Sequence, residues 1–160
     1  MALYLVQHGK SLSKEMDPEQ HLSETGIAET QNIARVAAGY QVAVARIHHS
    51  VKIRARQTAE IFAEAFHPVH GVHQIDGMKP MDDVTMVAPG LNPEDALMLV
   101  GHLPFMARLT AYLITGRTEP SVFKFQKSGI VCLDRQPGET NWQIVWTLMP
   151  HISISTHCSS

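Results

Sequence analysis

Leu3-Tyr4-Leu5-Val6-Gln7-His8-Gly9-Lys10 decides the fold. Leu3 to Val6 is apolar without interruption, as in a strand buried on both faces of a sheet. The run then stops, and Gly9 lets the backbone turn sharply. A histidine is thereby carried off the end of a central strand onto a turn. In open α/β sheets ligands bind outside the carboxyl ends of the strands, so His8 stands where such a fold does chemistry. Ala96-Leu97-Met98-Leu99-Val100 followed by Gly101-His102-Leu103-Pro104 repeats the arrangement.

Outward from these two strands, the chain alternates between short apolar runs and helical periodicity. Ser11 to Gln20 is a polar loop. Ser23 is an N-cap with Glu24 in the first turn, and Ile27, Ile33, Ala34, Ala37 and Ala38 mark the buried side of a helix that Gly39 stops. Gly26 inside that helix costs about 1 kcal/mol against Ala and points to close approach of another backbone. Val42 to Ile47 is expected to be a strand, with His48-His49-Ser50 after it. A second helix is expected over residues 52–66, burying Ile53, Thr58, Ile61, Phe62 and Ala65. Its first turns carry Lys52, Arg54 and Arg56. Cations there oppose the helix dipole, which is tolerable where an anion binds.

Further along, Val72 to Ile75 is expected to be a strand and Pro80 to Val87 a short helix ended by Pro89-Gly90. Leu103 to Ile114 is an apolar helix with Pro104 in its first turn and Gly116 at its close. Ser121 to Phe125, Gly129 to Asp134 and Trp142 to Leu148 are expected to be strands, the last two joined at Pro137-Gly138 as an antiparallel hairpin. The order predicts an α/β fold. It is a three-layer α/β/α sandwich with a mixed, mostly parallel central sheet, antiparallel towards the C-terminal edge. Residues 1–150 form a single domain, and residues 151–160 form a polar C-terminal tail.

Composition narrows the function. A formal net charge of −2 over 160 residues gives no electrostatic basis for binding nucleic acid or an anionic membrane. No run is long enough to span a bilayer, and the N-terminus lacks the pattern of a signal peptide. Two cysteines, Cys132 in an expected strand and Cys158 in the tail, make neither a disulfide framework nor a Cys-rich zinc site. A cytoplasmic, reducing setting follows, with a monomer as the default for a domain of this size.

The groups projecting from the strand ends are Gln7, His8, Lys10, Ser50, Arg54 and His102, with Asp82 as a further candidate. Two histidines with cationic and amide donors suit an anionic substrate, phosphate being the simplest. Arg offers a planar fork of donors to phosphate, and a neutral imidazole can attack phosphorus. No nucleophile elbow, Walker loop or dinucleotide fingerprint is present. A metal site built from His8, His48, His49 and His102 is the competing reading. It lacks carboxylate or thiolate partners at regular spacing, and Arg54 opposes a cation there.

Gln7-His8-Gly9, Leu22-Ser23-Glu24-Thr25-Gly26, Ser50-Val51-Lys52-Ile53-Arg54-Ala55-Arg56-Gln57-Thr58 and Gly101-His102 together resemble the histidine phosphatase (phosphoglycerate mutase-like) superfamily. The short form is most similar to bacterial SixA-type phosphohistidine phosphatases. The resemblance implies that His8 is the nucleophile that becomes phosphorylated. It implies that Arg54 and His102 clamp the phosphoryl oxygens, with Gln7 alongside, and that no metal or other cofactor is needed. Lys10, Ser50 and Asp82 are candidates for supporting roles, Asp82 or Asp83 standing about where larger relatives keep a proton donor.

The family motif is Arg-His-Gly, and this chain has Gln7. Charge-assisted hydrogen bonds are worth about 1.5–3 kcal/mol, so losing part of one slows turnover by about tenfold to a hundredfold. Lys10 is the candidate to return the charge. The expected function is a phosphatase acting through phospho-His8 on phosphohistidine of a protein partner, such as a histidine phosphotransfer domain. The segment from His67 to Ala96 is short and offers little cap, which suits a phosphate displayed on a protein surface. The alternatives are a small-molecule phosphomonoesterase acting on a phosphate ester, and a phosphate-binding protein weakened or inactivated by Gln7.

Overall fold

The computed structural model describes residues 1–152. Cys158 and the tail beyond residue 152 lie outside the described residues. Six strands form one sheet: β1 (Leu3–Gln7), β2 (Arg46–His49), β3 (Val72–Gln74), β4 (Leu97–Gly101), β5 (Ile130–Asp134) and β6 (Gln143–Leu148). Their spatial order is β3-β2-β4-β1-β5-β6. The β3-β2, β2-β4 and β4-β1 pairs are parallel, and the β1-β5 and β5-β6 pairs antiparallel. The mixed, mostly parallel sheet is therefore the one the element order predicts.

Strands β1 and β4 are buried along their whole length because both faces of the sheet are covered. Leu3, Leu5, Leu97 and Leu99 face a cluster with Phe105, Met106 and Leu109 of α3 (Phe105–Thr115). Tyr4, Val6, Met98 and Val100 face the other cluster, with Ile33, Ala34 and Ala37 of α1 (Glu24–Gly39) and Ala55, Ala59 and Phe62 of α2 (Ile53–Phe66). Period-two alternation on the strands thus divides one apolar run between two helical layers. Phe62 and Phe105 are fully buried, one on each side. Each such side chain contributes about 1.5–3 kcal/mol over exposure.

The caps are legible in residue chemistry. The Ser23 side chain accepts a hydrogen bond from the amide of Gly26 at the start of α1. Gly116, at φ 79°, closes α3 with its amide on the Tyr112 carbonyl. Gly26 is buried against the loop: a Cβ there would lie 2.0 Å from the carbonyl oxygen of Lys10. The close backbone approach expected at this glycine is present.

Four expectations need correction. The strand expected at Val42 to Ile47 starts at Arg46 and takes in His48 and His49. Pairing with both β3 and β4 satisfies the backbone there, and the two imidazoles find partners: His48 packs edge-to-face on His73, and His49 Nδ1 donates to the Ser50 carbonyl. The helix expected over Pro80 to Val87 is replaced by three 3-10 turns, Val84–Met86, Ala88–Gly90 and Pro93–Asp95. Only the first of these turns lies within the expected span, where the Asp82 and Asp83 carboxylates take the Lys79 and Thr85 amides and compete with helical bonding. Ser121 to Phe125 forms no strand; Phe123 and Phe125 instead pack edge-to-face and attach to the α3-side core. On the helices, Ile27, Ala38, Ile53, Ile61 and Ala65 are only half-buried, and Gly26, Thr30, Ala55 and Ala59 take the deeper positions. Small residues win there because α1 and α2 pack on the sheet and on each other.

Candidate active site

Register places the two histidines together. Gln7 of β1 pairs with Gly101 of β4, so the next residue of each strand leaves the sheet at the same level. The His8 amide donates to the Gly101 carbonyl at 2.9 Å. The two imidazoles stack obliquely, centroids 5.0 Å apart, and both are buried.

The His8 ring is fixed in one tautomer. Its Nδ1 lies 2.7 Å from the Gly9 carbonyl oxygen, which can only accept, so Nδ1 carries the proton. Nε2 is left with its lone pair. Arg54, in the first turn of α2, donates from Nε to that atom at 3.4 Å. Burial is the main force pulling the His8 pKa down to about 4; the nearby Arg54 and Lys127 charges add to it, and the bond to Gly9 works the other way. His8 is thus neutral at pH 7, with Nε2 available as a nucleophile.

Ser50 follows β2, which neighbours β4, and its Oγ bonds His102 Nε2. The Lys52 amide donates to the same Oγ at 3.4 Å. If the Ser50 hydroxyl donates to His102 Nε2, the ring proton stands on Nδ1. That Nδ1 is buried and has no hydrogen-bonding partner among the described residues. Burial, then His8, Arg54 and Lys52, pull the His102 pKa down to about 3. In that tautomer the ring presents an unpartnered, buried N–H beside the His8 ring, a donor of the kind that can stabilise an anion.

The turn bearing His8 is held by α2. Thr58 Oγ1 accepts from the Gly9 amide at 2.9 Å and donates to the Arg54 carbonyl at 2.7 Å. Gln57 Oε1 accepts from the Leu22 amide at 2.7 Å. One helix therefore carries Arg54, which bonds His8, and, one turn on, the groups that tie down the His8 turn and the residue preceding α1. Of the other cations at its start, Arg56 pairs with Glu60 in solvent and Lys52 adds its field at His102.

The remaining candidates fall elsewhere. Lys10 is exposed, and its carbonyl takes the Ser23 amide and hydroxyl. Asp82 closes its own turn on the Lys79 amide at 2.8 Å, and Asp83 caps the turn at Thr85. Neither carboxylate joins the histidines. Among the described residues no cluster of metal-ligating side chains is present, and His48 and His49 are held in β2. Lys127, whose charge bears on His8, and Ser128 also stand near the His8 turn. Nothing local marks them, since Gln126-Lys127-Ser128-Gly129 is an ordinary turn preceding a strand. Gln57 and Thr58 were visible as motif letters, but their targets were not.

The model of the histidine phosphatase superfamily (branch 1) matches residues 3–83, half of the chain. The chain belongs to the histidine phosphatase superfamily. The Escherichia coli (strain K12) phosphohistidine phosphatase SixA is 26% identical over 151 residues, covering 90% of this chain and 93% of that protein. Among solved structures, an Agrobacterium tumefaciens SixA superposes with a TM-score of 0.72 at 27% identity, over 93% of this chain and 97% of that one. The protein histidine phosphatase SixA complexed with tungstate gives 0.77 at 24% identity, over 94% and 97%. A mycobacterial glucosyl-3-phosphoglycerate phosphatase shares the histidine phosphatase fold at 16% identity, TM-score 0.66.

Proposed function

We propose that this protein removes the phosphoryl group from phosphohistidine on a protein partner, through a covalent intermediate on His8. The observation that carries the reading is the pinned His8 ring: Nδ1 held by Gly9, Nε2 free of a proton, and Arg54 and His102 beside it.

In the first step the Nε2 lone pair of His8 attacks phosphorus, a P–N bond forms, and the bond to the substrate imidazole breaks. The leaving imidazole keeps the bonding pair and takes a proton from solvent. In the second step water attacks phospho-His8, the Nε2–P bond breaks, and the water proton leaves with phosphate or to solvent. Arg54 and the N–H of His102 stabilise charge on the equatorial oxygens in both steps. Imidazole leaves more readily than an alkoxide, so the chemistry asks little of an acid. That accords with Asp82 and Asp83 being occupied in their own turns.

A protein substrate is supported by the SixA resemblance and by the segment after β3. Its buried residues Met78, Val84, Ala88 and Leu91 belong to the α3-side core, so they are committed to packing. Among the described residues no helix is long and apolar enough to cross a membrane.

The test is phosphate release from a phosphohistidine peptide, with p-nitrophenyl phosphate for comparison and His8→Ala as control. Turnover on the peptide that vanishes in the variant is the expected result. Preference for the small ester would favour a phosphomonoesterase. Binding of the phosphopeptide without turnover would make the protein a phosphate-binding one.

A further inference from the structure

Position 7 is neutral where the family motif has arginine, and a lysine is paired through its backbone with that same residue. Ahead of β5 the chain forms a tight turn, with the Gly129 amide on the Gln126 carbonyl at 3.1 Å. Lys127 sits in that turn and forms a parallel bridge with Gln7. The Ser128 amide donates to the Gln7 carbonyl at 2.9 Å.

The turn is fixed on both flanks. Ser128 takes a left-handed backbone, φ 70°, and its buried hydroxyl is 2.6 Å from that of Thr30. Both hydroxyls pack against Gly9: a Cβ on Gly9 would lie 2.8 Å from Thr30 Oγ1 and 3.0 Å from Ser128 Oγ. On the other flank Gln126 exchanges two hydrogen bonds with the backbone of His151, at 2.9 and 3.0 Å. The Lys127 backbone is therefore held against the His8 turn, while its side chain is exposed and makes no ion pair among the described residues.

We propose that Lys127 is a phosphate-binding residue, supplying from the β5 side of β1 the positive charge that the family arginine supplies at position 7. The proposal rests on the phosphatase reading for its biological meaning, but the binding it describes does not need turnover. The depression of the His8 imidazole by the Lys127 charge accords with this placement. A flexible ammonium on an exposed stem reaches one or two phosphoryl oxygens as a point charge, where arginine would offer a fork. Moving the cation across one strand keeps the formal charge of the site while changing its geometry.

The experiment is calorimetric titration of the unphosphorylated protein with inorganic phosphate at fixed pH and ionic strength. Lys127→Met is expected to weaken binding about tenfold, Lys127→Arg to stay within about threefold of wild type, and Gln7→Arg in the Lys127→Met background to restore the affinity. Thermal melts check that each variant is folded; Lys127→Gln serves as a second neutral variant. Affinity within about twofold of wild type for both neutral variants would overturn the proposal. So would failure of Gln7→Arg to restore binding, or an equal loss on Lys10→Met, which would reveal only a general field. The catalytic reading fails on a different observation, namely turnover that survives His8→Ala.

Discussion

Ser50 and His102 illustrate how a single hydroxyl can set the chemistry of a site. Ser50 Oγ bonds His102 Nε2 and accepts from the Lys52 amide, so it fixes the ring's orientation, and a hydroxyl donating to Nε2 leaves the ring presenting Nδ1–H. Ser50→Ala leaves a buried Nε2 without that donor and frees the ring to switch tautomer. An unsatisfied buried group costs about 1–3 kcal/mol. Lost specifically from transition-state binding, that is about tenfold to a hundredfold in kcat/KM. The variant should show that loss, with ring nitrogen NMR reporting a mixed tautomer at His102; an unchanged tautomer with unchanged kcat/KM would reject the role. The same spectra test His8. Its ring should titrate near pH 4, well below the ordinary histidine value of about 6.5, with Nδ1 protonated at neutral pH. A midpoint near 6.5 would mean that the ring is neither desolvated nor beside cations. At this scale the histidines and Arg54 were legible because each terminates or opens an apolar element. Lys127 was not, because its role depends on which strand lies next to β1.

Among the elements, α1 is placed by a glycine. Helix propensity alone says that Gly26→Ala stabilises by about 1 kcal/mol. The structure says the reverse, because the new Cβ would meet the Lys10 carbonyl at 2.0 Å and backbone cannot rotate aside as a side chain can. The Ser23 cap bonds the same carbonyl, and Lys10 is two residues from His8. Gly26→Ala should therefore lower the urea midpoint, by an amount equivalent to about 2 kcal/mol or more, and reduce turnover along with it. A higher midpoint would show that the contact relaxes at no cost. The tight approach was readable from a glycine inside an otherwise helical pattern. Segments lacking such a local cause were misread. Ser121 to Phe125 has strand-like residues, but β6 already takes the place beside β5, and Phe123 and Phe125 pack into the α3-side core instead. His48 and His49 were placed after their strand because polar side chains count against strand in sequence, whereas backbone pairing to two neighbours decides it in the sheet.

For the whole molecule, the sheet order brings the ends of β2, β4 and β1 side by side, and helices on both faces remove water from the histidines there. Alternating βα order made the layers readable, but not the cost of that burial, which depends on the assembled molecule. The native pKa values of His8 and His102 are about 4 and about 3, against about 6.5 unfolded. Above pH 6.5 both rings are neutral in both states and stability is at its full value. As pH falls below 6.5 the unfolded chain binds protons that the native state refuses, so stability falls with pH, and for these two rings it levels off only below their native values. Each ring contributes a slope approaching about 1.4 kcal/mol per pH unit within that window. Together they should make the protein about 2–4 kcal/mol less stable at pH 5 than at pH 7, a range in which most carboxylates are still ionised. Urea unfolding at pH 7, 6 and 5 measures this, with the His8→Asn/His102→Asn double variant as reference. The wild-type curve should fall steeply and the double variant's much less, because asparagine fills the site without titrating. Parallel curves would place the pH sensitivity elsewhere, His48 being the next candidate because burial and the Arg46 charge also lower its pKa. The site would then be wetter than its burial indicates, and the case for a permanently neutral nucleophile at His8 would fall with it.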